Sequence, residues 1–247
     1  MAYIVLVIFI SSLVYLSLII QSKSVNHSSF VEIRGNTLLP KDKYYKFAEL
    51  DYLNDKINLD VSFIKDRLKK HPYVKTIEVV KDGQFINCKI TERTFLAVLI
   101  NDDEHYFISE NLLLIPILPF TNRINWPVIN NPNIYTQLNT LNVLNDENDI
   151  ITGLKLIESI KLSDPELYNN LSEVDLRNGK DILLYFSHLT YPVIIGRGNE
   201  IRKSIYFTKL WKILDGKEIN SIIKYVDVRY SQHIFLGLSE ELTEMEG

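Results

Sequence analysis

The fold of the first part of this chain is decided by residues 68–74, which read Leu68-Lys69-Lys70-His71-Pro72-Tyr73-Val74. Upstream of this stretch lie Val61 and Ile64, which share a helical spacing with Leu68. They follow Asp60, a residue type that favours the N-cap. Pro72 cannot continue a helix, and the aromatic and β-branched residues after it favour extended backbone. The stretch therefore predicts a helix that ends at His71 and a strand that begins at Tyr73.

The flanking sequence completes a small α+β unit. Two strands are predicted at 74–81 and 85–91, and Asp82-Gly83 between them is a strong hairpin signal. Phe30 to Ile33 alternates as a strand and stops at the turn signal Gly35-Asn36, after which Pro40 opens a short helix. The predicted order is β-α-α-β-β over residues 30–93.

The following residues, 94–238, predict a strand-rich domain with two helices. Ile150, Leu154, Ile157 and Ile160 place an apolar stripe on the first helix. The second is predicted from Glu200 to Leu214, and its apolar stripe is predicted to hold Ile201, Ile205, Leu210, Ile213 and Leu214. Short strands are predicted at 173–176, 182–186, 193–195, 222–228 and 234–236, and residues 239–247 form an acidic tail.

The first twenty residues differ in composition from the rest. Ala2 to Ile20 carries no charge and no proline, and about 28 Å of helix from this run would match the hydrocarbon thickness of a bilayer. A cleaved signal peptide is the alternative, but no Ala-x-Ala-like site precedes Gln21. We therefore predict an uncleaved transmembrane anchor over residues 1–21 and a polar linker over 22–29. The flanking charges leave the orientation undecided.

The ordered motifs of the first unit resemble a POTRA domain of the FtsQ/DivIB family of bacterial cell-division proteins. The resemblance rests on a strand ending in Gly-Asn, a helix ending in His-Pro-aromatic-Val, and a hairpin ending in Glu-Arg. The matching residues are Gly35, Asn36, His71, Pro72, Tyr73, Val74, Glu92 and Arg93.

The resemblance continues along the chain in the family's order. Tyr106 to Ser109 and Trp126 to Ile129 resemble the start of the family's β-domain, and Val193 to Gly196 followed by Lys203 resembles the strand before its last helix. The segment Tyr225 to Tyr230 resembles the final strand pair. Some members carry a tryptophan after the glycine of the last strand, where this chain has Leu238. The resemblance implies an α+β protein with an N-terminal transmembrane helix, a POTRA domain at 30–93 and an FtsQ-type β-domain at 94–238.

The resemblance also implies a function. The chain would be a divisome scaffold that binds FtsB/FtsL-like partners through the edge of its β-domain and supports septum formation. It would lie at the division septum as a single-pass protein of the cell membrane, with the C-terminal domain outside the cytoplasm. The partner-binding residues implied are Tyr225, Val226, Asp227, Val228, Arg229, Tyr230, Ser231, Ile234, Phe235 and Leu238.

Enzymatic and nucleic-acid functions find little support in the sequence. The formal charge is -4 and no region concentrates Lys and Arg, which disfavours nucleic acid. The motif Gly196-Arg197-Gly198 lacks the third glycine of a dinucleotide fingerprint, because Ile201 occupies that position. No two of the five histidines have the spacing of a zinc helix, and Cys88 is the only cysteine and is predicted to be a core residue. We expect no enzyme, no catalytic residues, no metal or other cofactor and no small-molecule substrate.

Two other classes of protein fit the sequence less well. A POTRA-containing chaperone or translocation accessory for extracytoplasmic polypeptides is the alternative function, but such proteins carry several POTRA units before a long β-barrel. A cell-wall hydrolase would need a nucleophile with its base, or a metal constellation, and the sequence shows no such arrangement.

Overall fold

The computed structural model describes residues 3, 9–15, 30–50, 60–101, 104–122, 124–134, 138, 140–141, 143–230 and 233–239. The chain divides into two compact units, Met1–Glu92 and Arg93–Gly247. Within the described residues, each unit combines helices with a β-sheet.

The first unit is a three-stranded sheet with two helices. Its described elements follow the predicted order β-α-α-β-β: β1 (Phe30–Arg34), α1 (Lys41–Phe47), α2 (Val61–Lys69), β2 (Val74–Asp82) and β3 (Phe85–Glu92). The spatial order is β1-β3-β2, with β1 parallel and β2 antiparallel to the central strand. The predicted cap of α2 is confirmed, because the Asp60 carboxylate accepts a hydrogen bond from the Ser62 backbone N–H at 3.1 Å.

The carboxylate of Glu92, at the end of β3, holds together the turn after β1 and the start of α1. It accepts hydrogen bonds from the Thr37 and Leu38 backbone N–H groups at 2.9 and 3.0 Å, and from the hydroxyl groups of Thr37 and Tyr44. Burial and the neighbouring carboxylate together raise the pKa of Tyr44, so its hydroxyl stays protonated as a donor. Glu92 thus joins the end of β3 to residues 37–44, which are distant from it in sequence.

His71 is a core residue of the first unit. Its side chain is buried, and its ring lies 4.5 Å from that of Tyr44 and 4.6 Å from that of Phe47. Its Nδ1 accepts a hydrogen bond from the Tyr73 backbone N–H at 3.1 Å, which requires the neutral ring. Burial lowers the pKa of His71 to about 4. The helix-ending motif therefore has a packing role here.

Cys88 lies on β3 with its side chain buried, as predicted. Burial raises the pKa of the thiol to about 11. The thiolate, which is the reactive form, is therefore scarce at neutral pH.

The second unit is built on a nine-stranded sheet among the described residues. Its strands are β4 (Phe95–Asn101), β5 (Glu104–Ser109), β6 (Leu114–Pro116), β7 (Val128–Asn130), β8 (Leu171–Asp175), β9 (Leu183–Phe186), β10 (Val193–Ile194), β11 (Ile223–Asp227) and β12 (Phe235–Leu238). The spatial order is β12-β11-β10-β9-β8-β7-β4-β5-β6. Three neighbouring pairs, β4 with β7, β7 with β8 and β10 with β11, are parallel, whereas no parallel sheet was evident from the sequence.

Helices form two of the three crossovers between parallel strands of this sheet. α3 (Asn148–Ser163) and the short α4 (Pro165–Asn169) connect β7 to β8, and α5 (Glu200–Leu214) connects β10 to β11. α3 and α5 meet through their side chains, with the hydroxyl oxygens of Ser159 and Ser204 2.7 Å apart. Both helices contribute to one buried apolar cluster with the sheet.

The predicted apolar stripe is confirmed on α3 and only partly correct on α5. Ile150, Leu154, Ile157 and Ile160 of α3 are all buried. On α5, Leu214 is buried as predicted, but Ile201 and Ile213 are exposed, and Phe207 and Trp211 are buried instead. The buried face of α5 also holds Lys203, Ser204 and Thr208, whose polar atoms bond to backbone carbonyls. A stripe of apolar residues alone does not identify such a face.

The membrane anchor predicted over Ala2 to Ile20 is contradicted by the structure. None of the helices in the described part of the chain has the length and apolar composition needed to cross a bilayer. The described residues in this region are Tyr3 and 9–15, and they are helical. As far as the described residues go, the predicted transmembrane helix and single-pass membrane localisation are therefore wrong, whereas the lipid-bilayer contact of this segment stays a prediction. The rest of Ala2 to Ile20, and the linker 22–29, lie outside the described residues.

A glycine-to-alanine pair tests the packing of the first unit. Gly35 has φ +89°, and a Cβ on it would overlap the Ile90 carbonyl oxygen, whereas a Cβ on Gly83 (φ +58°) meets no atom within 4 Å. We expect Gly35→Ala to lower the free energy of opening of the β3 amides by about 3 kcal/mol, and Gly83→Ala by about 1 kcal/mol. Native-state hydrogen exchange of the full chain measures both values. Equal losses would contradict the close approach at Gly35.

Candidate functional site

The two ends of the large sheet differ in what lies against them. Beyond β6, the Leu141 backbone N–H donates to the Leu114 carbonyl at 2.8 Å, and Leu113 forms an isolated bridge with Val143. At the other end, β12 pairs with β11 and with no other described strand. The outer edge of β12 is thus the place where a further strand can pair with this sheet.

The direction of the β12 amides follows from its hydrogen bonds. The Ser239 N–H donates inward to the Ile222 carbonyl at 2.9 Å. Because successive amides of a strand point to opposite sides, the N–H groups of Gly237 and Phe235 also point to β11. Those of Leu236 and Leu238 point away from the sheet.

Five exposed apolar side chains surround this edge and are called the edge patch: Tyr225, Tyr230, Ile234, Phe235 and Leu238, with 37 to 54% of their surface exposed. The Tyr230 and Phe235 rings meet edge to face at 5.1 Å between centroids. A concentration of exposed apolar residues beside the outer edge of a strand is characteristic of an interaction surface.

Not all of the predicted partner-binding residues belong to the surface. Val226 and Val228 are buried in the core cluster, and their N–H groups donate to Pro192 and Ile194 on the β10 side. Asp227 is also buried, whereas Tyr225, Tyr230, Ile234, Phe235 and Leu238 are exposed. Ser231 lies outside the described residues, as do residues 240–247 of the predicted acidic tail.

Gly237 was not among the predicted site residues, but it shapes the edge. It pairs with Tyr225 across β11 and β12, and a Cβ on it would overlap the Tyr225 ring. The ring therefore rests on the backbone of β12. The sequence offered no signal for this contact, because it depends on the register between the two strands.

The charged residues after β11 form a connected group. The Arg229 guanidinium donates to Asp227 at 2.6 Å through Nη2 and at 3.0 Å through Nε, and to Asp181 at 2.7 Å through Nη1. Burial tends to raise the pKa of Asp227, but the hydrogen bonds from Arg229 outweigh it and hold that pKa below its ordinary value. The side chain of Arg229 is therefore engaged within the chain.

The turn Gly196-Arg197-Gly198 is similarly engaged by the protein itself. Arg197 donates to the backbone carbonyls of Lys180 and Leu176 at 2.6 and 2.7 Å, and forms an ion pair with Asp149 at the start of α3. In the described parts of the chain, no group of three His, Cys, Asp or Glu side chains is placed to hold a metal ion.

An open groove of about 500 Å³ lies elsewhere on the second unit, beside α3. The residues that line it include Leu96, Leu112, Ile157 and Lys161. The Nζ atom of Lys161 lies 3.9 Å from Oε2 of Glu158, which also lines the groove. This groove was not predicted from the sequence, since its walls come from segments that are far apart along the chain.

Replacing Gly237 tests the arrangement of the edge. Gly237→Ala should push the Tyr225 ring off β12, at a cost in folding free energy of less than about 1 kcal/mol because an exposed ring can move. The expected result is faster modification of Tyr225 by a tyrosine-acylating reagent, measured by peptide mass spectrometry. Tyr206 on α5 serves as the control and should be modified at its wild-type rate. An unchanged rate at Tyr225 would contradict the ring's contact with Gly237.

Comparison with known proteins gives one distant relative of cell-division type. No family model matches the chain. The chain is 24% identical over 211 residues to the cell division protein FtsQ of Geotalea daltonii, an alignment that covers 83% of this chain and 74% of that protein. The chain is thus distantly similar to an FtsQ protein over most of its length.

Proposed function

We propose that this chain is a scaffold protein of bacterial cell division that captures its partners by β-augmentation at the outer edge of β12. The observation that carries the proposal is the open edge of β12, with its exposed aromatic and aliphatic side chains. The distant similarity to an FtsQ protein supports the cell-division role. The partners proposed are FtsB/FtsL-like division proteins.

The proposed mechanism uses the main chain for affinity and side chains for specificity. A partner strand would accept hydrogen bonds from the outward N–H groups of Leu236 and Leu238. Its alternate side chains would pack on Tyr230 and Phe235, which are 54 and 52% exposed. Burying these rings supplies the apolar contribution that main-chain pairing alone lacks.

No catalytic role is part of this proposal. A scaffold needs surfaces that remain available in the folded chain, and the edge patch meets that requirement. The first unit, with the POTRA-like motifs, is proposed to help position the protein at the division site and so to support septum formation.

A proline substitution at Leu238 tests the main-chain part of this mechanism. Leu238→Pro removes an outward N–H, whereas Leu238→Ala removes most of the same exposed side chain and keeps the N–H. We expect the proline variant to weaken capture of the FtsB/FtsL-like partners at least tenfold, and the alanine variant to weaken it much less. Co-purification followed by titration of the full chain measures both.

The side-chain part has its own matched pair. Phe235→Lys and Tyr230→Glu should weaken capture, since each places a charge where an apolar contact is proposed. Phe85→Lys, on the first unit, changes a ring that is 58% exposed, comparable to the 52% of Phe235, and should leave capture unchanged. Circular dichroism checks the fold of each variant. Unchanged capture by a folded Leu238→Pro variant would place the binding surface elsewhere.

The cell-division role is tested in dividing cells. A fluorescently tagged copy of the chain is expected at midcell, and its depletion is expected to give filamentous cells because septum formation fails. A tagged Phe235→Lys copy should not restore division if partner capture is what the cell requires. Uniform distribution of the functional tagged protein, with normal division after depletion, would contradict the proposal.

A further inference from the structure

The geometry around Arg229 links the charged group after β11 to the edge strand. The Arg229 guanidinium lies 5.9 Å from the centroid of the Tyr230 ring, and Tyr230 meets Phe235 of β12 at 5.1 Å. The same guanidinium is fixed on its other side by Asp181 and Asp227. A continuous set of contacts therefore runs from the loop before β9 to β12.

Gly196 gives Arg229 the room that this arrangement requires. Gly196 has φ +65°, and a Cβ on it would lie 2.7 Å from Arg229 Cγ and 3.0 Å from Cδ. Any other residue would be strained and would displace the aliphatic part of the arginine. Gly196, which in the sequence resembles part of a phosphate-binding loop, thus leaves the space that the Arg229 side chain occupies.

The two carboxylates that hold Arg229 have different surroundings. The Asp227 side chain is 6% exposed and accepts hydrogen bonds from both the Arg229 backbone N–H and its guanidinium. The Asp181 side chain is 38% exposed and accepts a single bond. Asp227 therefore fixes the main chain after β11, and Asp181 fixes the direction of the guanidinium.

We infer that Arg229 is a positioning residue for the edge: seated on Gly196 and held by Asp181 and Asp227, it sets the place of Tyr230 and of β12 against β11. This inference rests on the proposed function for its consequence, because it assigns Arg229 an indirect role in partner capture. A partner strand would meet a preformed edge and would not have to order it, which lowers the entropic cost of binding.

The test measures amide exchange in β12 of the free protein and, separately, binding of the partner. In the full chain without partner, Arg229→Gln should make the inward amides of β12, at Phe235, Gly237 and Ser239, exchange at least tenfold faster with solvent. Exchange in β8 and β9 should not change. Asp181→Asn keeps the Asp227 pair and should give a smaller increase, whereas Lys224→Gln removes an exposed charge from the same strand and should give none.

Partner titration completes the experiment. Arg229→Gln should weaken capture at least tenfold, and Arg229→Lys, which keeps the charge but loses the two-pronged geometry, should restore part of it. Weakened capture with unchanged exchange would make Arg229 a direct partner contact and would overturn the inference, as would no change in either measurement. If the wild-type chain captures no partner, the proposed function fails, and the exchange rates still decide the role of Arg229.

Discussion

The parallel pairing of β10 and β11 determines the course of the C-terminal part of the chain. Two parallel neighbours need a crossover, and α5 supplies it by packing on α3 and on the sheet. The N–H groups of Val226 and Val228 then bond to Pro192 and Ile194 at 3.1 and 3.0 Å. With one side of β11 occupied in this way, the hairpin that follows can add β12 only at the outer side.

This constraint connects the interior of the second unit with its proposed binding surface. The buried α5 side chains Phe207 and Trp211 hold the crossover in place, and the crossover holds β11. The core side of β11 is apolar, whereas Asp227, the last residue of the strand, pairs with Arg229 two residues beyond it. One strand therefore contributes to the core, to the charged group and to the register of the edge.

Local signals in the sequence predicted the elements well and their assembly poorly. The bounds of α5 were predicted as observed, Glu200–Leu214, because the helical spacing spans the whole segment. Its buried face was predicted only in part, since Lys203 and Thr208 are buried through hydrogen bonds that hydrophobicity does not reveal. The parallel pairings join segments separated by whole helices or by other strands. The apolar composition of Ala2 to Ile20 predicted a membrane helix that the described residues do not form.

For the candidate site, too, the sequence predicted local segments better than the contacts between them. The resemblance to a known family pointed to Tyr225 to Tyr230, and the structure places Tyr225 and Tyr230 in the edge patch. The roles of Gly237 and Gly196 could not be read from the sequence, because each glycine is needed by a side chain from another segment, Tyr225 in one case and Arg229 in the other. Such contacts depend on cross-strand register, which local patterns do not determine.

The unequal ends of the large sheet limit how this protein can assemble with copies of itself. The Leu141 N–H and the Leu113–Val143 bridge occupy positions beyond β6, which leaves β12 as the end suited to pairing. A fibre of edge-paired sheets needs two usable ends on every molecule. Two copies that met through β12 would use the same surface on each and close a symmetric pair. Strand addition between large sheets would stop at the dimer, even though the open edge carries exposed aromatic rings.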